Sequence, residues 1–256
     1  MTRALLSIAE GLFRIYWGLR RYSEAQAALD RARALRPTSL SLLHDQAQLY
    51  AAQGDLAGAR KALALAHEVT DSTTVVAYVA LREDLLWLLN DAQQRLVLTL
   101  TPADLDGGRA DWALALAETY GRRGDRRKAR AYADTARVEY GPLIQNMSNK
   151  ADRAQLAGLQ ALALAYLGKA QEGVEKGNEA LNAAKLAAAP IGQRSYIQFL
   201  LARIYLLAEQ PEKALDQLDQ LLKTPGSRVS LGLLKIDPTF DPLRGNPRFE
   251  RLVNGP

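Results

Sequence analysis

The sequence predicts an all-α protein, an α-solenoid of about six helical hairpins ending in a short cap, and three observations carry that prediction. Tyr16, Ala25, Leu29 and Ala32 recur as Tyr50, Ala59, Leu63 and Ala66, an offset of 34 at all four positions. Breakers punctuate the repeats, with Pro37 closing the first and Gly54 at the turn within the second. All ten prolines fall at breaks or helix starts, so no proposed helix interior is interrupted. A fixed period of this length marks a repeat architecture, in which one hairpin cannot cover its own apolar face and neighbours stack to bury it.

Each unit reads as a first helix, a tight turn, a second helix and a breaker. Small residues at Ala25, Ala32, Ala59 and Ala66 let backbones approach where helices cross, while Tyr16, Tyr50, Leu29 and Leu63 fill the adjoining space. Between residues 74 and 107, Ala80, Leu81, Leu85, Ala92 and Leu96 give a degenerate unit with Trp87 on its first helix. A clear repeat follows at Ala113 to Tyr120, Gly124, Ala129, Ala133 and Ala136, then a looser one at Ala161, Gly168, Gly173, Gly177 and Ala180. The last contains Ala202, Tyr205, Ala214, Leu218 and Leu221, with Pro211 opening its second helix. Spacing widens to 44 from Ala129 to Gly173 and to 41 from Gly173 to Ala214, which predicts longer loops around Gly141-Pro142 and Ala189-Pro190.

The solenoid is assigned to residues 1–226 and the cap to residues 227–256. In the cap, Asp237-Pro238, Asp241-Pro242 and Asn246-Pro247 each offer a side-chain acceptor followed by a residue whose φ is already helical. Phe240, Leu243, Phe249 and Leu252 form an apolar set suited to covering the last hairpin near Leu218 and Leu222.

Of the 256 residues, 48% are hydrophobic and 24% charged, a folded composition that excludes wholesale disorder and a membrane protein. The absence of cysteine excludes disulfides, thiolate metal sites and cysteine nucleophiles. Lys and Arg total 33 against 28 Asp and Glu, a net +5 that is mild beside a dedicated nucleic-acid binder. The N-terminus reads as an amphipathic helix because Glu10 and Arg14 interrupt its apolar run, and the longest apolar stretches, 75–81 and 161–167, fall well short of a membrane span. Cytoplasmic placement is the default expectation. Entry into helix at once, with no leader, also fits a fragment of a larger protein.

The pattern of Tyr, then Gly, then Ala, with Ala and Pro behind them at this period, resembles the tetratricopeptide repeat. That resemblance implies a right-handed superhelix whose concave groove, lined by the first helix of each pair, holds extended or helical segments of partner proteins. Residues 100–108 and 129–137, together with Asp237-Pro238-Thr239-Phe240-Asp241-Pro242-Leu243-Arg244, resemble the C-terminal repeat region of bacterial serine/threonine protein kinases and related signalling proteins. The implied role is a non-catalytic interaction or sensory region, on the outer side of a bacterial membrane if a membrane-spanning kinase precedes it. A free-standing cytoplasmic adaptor is the alternative, and a basic nucleic-acid-binding solenoid a more distant one.

Assembled chemistry is absent from the sequence. There is no Gly-rich phosphate loop, no His-Arg-Asp or Asp-Phe-Gly segment, no Gly-x-Ser-x-Gly and no His-Glu-x-x-His. His44 and His67 fall on different helices, and Asp104, Asp106 and Gly107 lack the glutamate a calcium loop needs, Ala115 standing there instead. Asp216 and Asp219 sit near one another with no desolvating pocket implied. No cofactor, metal or catalytic residue is therefore assigned. If the family's register applies, the groove presents Glu10, Arg14 and Trp17, then His44 and Gln48, Leu81, Glu118 and Arg122, Leu162 and Tyr166, and finally Tyr196, Phe199 and Arg203. Arg14, Trp17, Tyr196, Phe199 and Arg203 are the candidate protein-binding anchors, with interhelical packing as the alternative role of the aromatics. The basic run 122–130 reads as a solvated turn, or else as a contact for an acidic partner.

Overall fold

The computed structural model describes residues 2–254 apart from 67, 69, 83 and 84, and helices are the regular secondary structure throughout. Six helix pairs follow one another among the described residues: α1 (Thr2–Gly18) with α2 (Tyr22–Leu35), α3 (Leu40–Gln53) with α4 (Leu56–Ala66), α5 (Ser72–Ala80) with α6 (Asp91–Val97), α7 (Arg109–Arg122) with α8 (Arg126–Asn146), α9 (Lys150–Leu167) with α10 (Ala170–Leu186), and α11 (Ile191–Leu207) with α12 (Pro211–Lys223). The chain ends in α13 (Leu231–Ile236), a 3-10 turn at Pro238–Leu243 and α14 (Pro247–Asn254). Partners within a pair pack on each other, and pairs join through α2 on α3, α8 on α9 and α10 on α11. The repeated small residues do what their spacing predicts: Ala25, Leu29, Ala32 and Ala59 are fully buried, and Leu63 and Ala66 nearly so.

One backbone device closes five of the six pairs. Arg21, Asp55, Asp125, Lys169 and Gln210 each donate their N–H to the carbonyl five residues earlier, on Tyr16, Tyr50, Tyr120, Leu164 and Tyr205, at 2.9 to 3.0 Å. The residue before each donor is left-handed: Arg20, Gly54, Gly124, Gly168 and Glu209, with φ between 56° and 94°. This satisfies carbonyls that a helix end would leave orphaned and reverses the chain in two or three residues. In four of the five turns the acceptor is the carbonyl of the repeat tyrosine, Leu164 taking that place in the fifth.

Three expectations are corrected. Trp87 is not on a first helix: α5 stops at Ala80, and Trp87 lies in a 3-10 turn at Leu86–Leu88. Residues 85–89 are all buried, which a helix with one exposed face cannot achieve over five consecutive positions. Helix α6 then restarts on a reciprocal cap, Asn90 accepting from the Gln93 N–H at 2.9 Å while the Gln93 side chain accepts from the Asn90 N–H at 3.0 Å. Pro142 does lie inside a helix, α8, where it removes the bond to the Val138 carbonyl. Val138 is 53% exposed, so that carbonyl falls on the solvent side, and buried Tyr140 anchors the segment by donating to Asp111 at 2.6 Å. Finally, the wider repeat spacing resides in helices rather than loops. α8 runs 21 residues and α9 to α11 run 17 or 18, against 11 to 14 for α2 to α4.

The C-terminal segment packs in two directions. Phe240, Leu243, Phe249 and Val253 share a core with Leu215, Leu218 and Leu221 of α12. The stretch leading into them reaches back across the molecule, where the Gly226 N–H donates to the Gly18 carbonyl at 3.0 Å and Arg20 donates to the Leu222 carbonyl at 2.6 Å. The first and last hairpins therefore touch, and the row of hairpins forms a closed circuit. Among the described residues no helix is long and apolar enough to cross a membrane.

Two substitutions test this account. Phe249→Ala removes a side chain that is 1% exposed in the terminal core and is expected to lower stability by about 3–5 kcal/mol in chemical denaturation. Gly124→Ala meets no atom within 4 Å but forces a Cβ onto a φ of +80°, so its expected loss, about 1–2 kcal/mol, reports backbone strain alone.

Candidate functional site

The site is the inner face of the circuit, where residues 226–240 lie against the C-terminal ends of the first helices. From its start, this segment sets Arg228 over the Trp17 ring at 5.3 Å. Ser230 then caps α13 by accepting from the Leu233 N–H at 3.0 Å while its hydroxyl donates to the Ala52 carbonyl at 2.7 Å. Gly232 lies directly on the α3 terminus; a Cβ there would stand 2.5 Å from the Ala52 oxygen and closer still to the Gly54 nitrogen. Leu233 and Ile236 pack on the core that contains Leu85, Leu86 and Trp87. Farther on, Arg122 donates to the Thr239 hydroxyl at 2.9 Å and Phe240 packs on Phe199 with ring centres 6.0 Å apart.

A buried charged cluster lies under this segment. Arg203 of α11 donates to Glu118 of α7 at 2.5 Å, their side chains 5% and 0% exposed. One helical turn beyond Glu118, Arg122 reaches the segment, and Gly121 between them leaves room for Tyr166, whose ring would stand 3.0 Å from a Cβ at that position. Asp237 caps the following turn by accepting from the Thr239 N–H at 2.8 Å. Burial pushes the Asp237 carboxyl above its ordinary 3.8, with Arg122, the Thr239 hydrogen bonds and Arg203 pulling the other way. Burial likewise pushes the Tyr166 phenol above 10.0, and the Glu118 charge adds to that shift.

Nine of the groove residues expected from the sequence divide into three groups. Trp17, Gln48, Tyr196 and Phe199 line one pocket of about 60 Å³, together with Ser195, Leu85 and the segment's own Ser227, Arg228, Val229, Leu233 and Asp237. Glu118, Arg122 and Arg203 meet around Asp237 and Thr239. Arg14 and His44 stand apart, Arg14 exposed on α1 and His44 buried edge-on to Tyr78 at 5.9 Å. His67 lies outside the described residues. Of the basic run, Arg122 turns inward, Arg123 pairs with Asp91 at 2.5 Å and Lys128 sits over the Tyr120 ring at 5.0 Å, which leaves a less concentrated basic surface than the sequence suggests.

Ser230, Gly232, Asp237 and Thr239 belong to this site and were assigned by sequence to a cap on the last hairpin. The available signal was Gly232 itself, a residue of poor helix propensity inside a short apolar helix, which marks a close backbone approach.

The raised Asp237 carboxyl gives a signed pH dependence. The folded chain holds this proton more tightly than the unfolded one, so the associated stability is present in acid and is lost as pH rises from 3.8 through the higher folded value. Asp237→Asn keeps an acceptor for the Thr239 N–H without the charge. Its melting temperature is expected to exceed that of the parent chain at pH 7, with the gap shrinking toward pH 4; a gap independent of pH would refute the assignment.

No protein-family model matches the chain, and no curated protein matches it. Among solved structures, the crystal structure of the APC/C hetero-tetramer Cut9-Hcn1 contains a similar chain, with a TM-score of 0.44 and 14% sequence identity. The match covers 99% of this chain and 46% of that one, so the present chain spans less than half its length.

Proposed function

We propose that this chain is a non-catalytic protein-interaction scaffold of the tetratricopeptide type, whose inner face grips an extended segment of a partner protein. The observation that carries this reading is the seat occupied by residues 226–240. One backbone hydrogen bond at Gly18, a side-chain bond at Ala52 and an aromatic contact at Phe199 hold a largely non-repeat segment across several hairpins. These are the means by which a groove reads a peptide: backbone bonds for affinity and side-chain seats for specificity. The phrase from Asp237 to Arg244 supports the finer reading, a C-terminal interaction region of a bacterial signalling protein of the serine/threonine kinase kind.

Residues 226–240 themselves hold the face. A tethered segment acts at an effective concentration in the millimolar range for short linkers, so a partner must outbid it or find it released. Trp17, Gln48, Tyr196 and Phe199 then become the partner's contacts, while Glu118 and Arg203 remain paired beneath it.

Gly232→Ala tests the reading because its Cβ collides with the α3 backbone and leaves Phe240 and Phe249 in place on α12. A photoreactive residue at position 196 in the parent and variant chains, produced in cells, should capture the same protein, several-fold more in the variant. Helicity measured by circular dichroism confirms that the variant is folded. Equal or weaker capture by a folded variant overturns displacement of the segment, and absence of any captured protein from both overturns the scaffold role.

A further inference from the structure

The seat of residues 226–236 prescribes what any replacement has to carry. Ala52 lies in the last turn of α3, whose final carbonyls the helix leaves without donors, and the Ser230 hydroxyl supplies one at 2.7 Å. The same oxygen accepts from the Leu233 N–H at 3.0 Å, so one side chain both caps α13 and serves α3. A hydroxyl performs both tasks, whereas an ionised aspartate would cap the turn but has no proton for the carbonyl. Two residues on, Gly232 stands where a Cβ would strike the Gly54 nitrogen, the Ala52 oxygen and the Gln53 carbonyl carbon, all of them backbone. Leu233 and Ile236 then share one side of α13 and pack on the core around Leu85 and Trp87. Hydroxyl, glycine and two apolar residues thus fall at a fixed spacing, each matched to a different feature of the inner face.

A segment that displaces this one meets the same groups. The bond from Ser230 to the Ala52 carbonyl is buried, and a buried acceptor left unpaired costs more than a typical hydrogen bond returns. Sites built around such groups reject ligands that lack the matching donor far more strongly than they reject a missing methylene. The newcomer also has to overcome the tether. A pocket of about 60 Å³ lies between Leu233 and the wall formed by Trp17, Tyr196 and Phe199, room that a larger side chain at that position can occupy.

We propose that the partner protein is recognised through a segment that reads Ser or Thr, any residue, Gly, an aromatic residue, any two residues, and then Ile, Leu or Val, folded as a short helix on the end of α3. This rests on the scaffold role and adds to it the chemistry of the occupant. The aromatic residue, standing where this chain has Leu233, is what lets the partner compete with a tethered segment that already carries the other three features. Its ring meets three aromatic side chains, and filling a space of this size is equivalent to about tenfold in binding.

The probe is a fluorescent, end-capped peptide of residues 226–236, titrated into the full-length parent and Gly232→Ala chains and followed by anisotropy, with circular dichroism confirming that the variant is folded. The peptide retains glycine and seats where the variant's own segment collides, so binding is expected to be several-fold tighter to Gly232→Ala than to the parent. Within the peptide, Leu233→Phe should tighten binding by up to about tenfold. Ser230→Thr should preserve it, while Ser230→Asp, which still caps the turn, should weaken it about tenfold or more. Failure of the peptide to bind the folded variant overturns the proposal. So does equal binding of the Ser230→Thr and Ser230→Asp peptides, and so does a Leu233→Phe peptide no tighter than its parent. The scaffold role is read separately, by capture at position 196 in cells: a protein captured there through a stretch lacking this pattern overturns the pattern and leaves the scaffold role standing.

Discussion

Backbone laid against backbone at glycine holds this molecule in its closed form. Gly226 meets Gly18, where a Cβ would stand 3.1 Å from the opposing Cα, and Gly232 meets the α3 terminus at Gly54. Helices bearing ordinary side chains keep their axes about 8–10 Å apart, too far for the Gly226 N–H to reach a carbonyl on the first hairpin. With hydrogen alone at these crossings, the segment descends onto the first two hairpins, Ser230 reaches the Ala52 carbonyl, and Trp17 and Asp237 become buried. The pocket and the charged cluster exist because of that descent.

The charged cluster contributes definition more than stability. Glu118 and Arg203 come from helices separated by 85 residues in sequence, and both are withdrawn from water. Desolvation offsets most of what their attraction returns, yet removing one partner leaves a buried charge uncompensated at about 3–5 kcal/mol. The pair thus penalises any arrangement that does not bring α7 and α11 together. Asp237 adds a condition: its carboxyl is comfortable in this setting to the extent that Arg122 and Arg203 stand near it. The exposed pairs, such as Arg21 with Glu24, carry no comparable penalty.

What could be read from the sequence was what local rules decide. The alanine and leucine spacing located α2 and α4, and Gly54, Gly124 and Gly168 marked turns that prove to share one geometry. Arg20 and Glu209 occupy the same left-handed position without glycine, so composition alone hides two of the five turns. Pro142 lies inside α8 despite the rule that prolines mark breaks, because a proline is tolerated where the lost hydrogen bond faces water. The third unit departed because residues 85–89 are all apolar, a pattern that fits a buried turn as well as a helix. The named groove residues lie on first helices except Leu81, which falls just past the end of α5, but the segment that packs on several of them was not legible. The contact of Ser230 with Ala52 spans 178 residues, and no periodic pattern encodes a pairing that only the assembled curve brings about.

Closure also bears on how the chain reaches this state. An open solenoid gathers its contacts between neighbours and can zip up as it is made, but the bond from Arg20 to Leu222 bridges 202 residues. At a synthesis rate of about 5–20 residues per second, the first hairpin waits on the order of 10 s or longer before its counterpart exists. Through that interval Trp17 and the end of α3 are uncovered to whatever the cell holds near the ribosome.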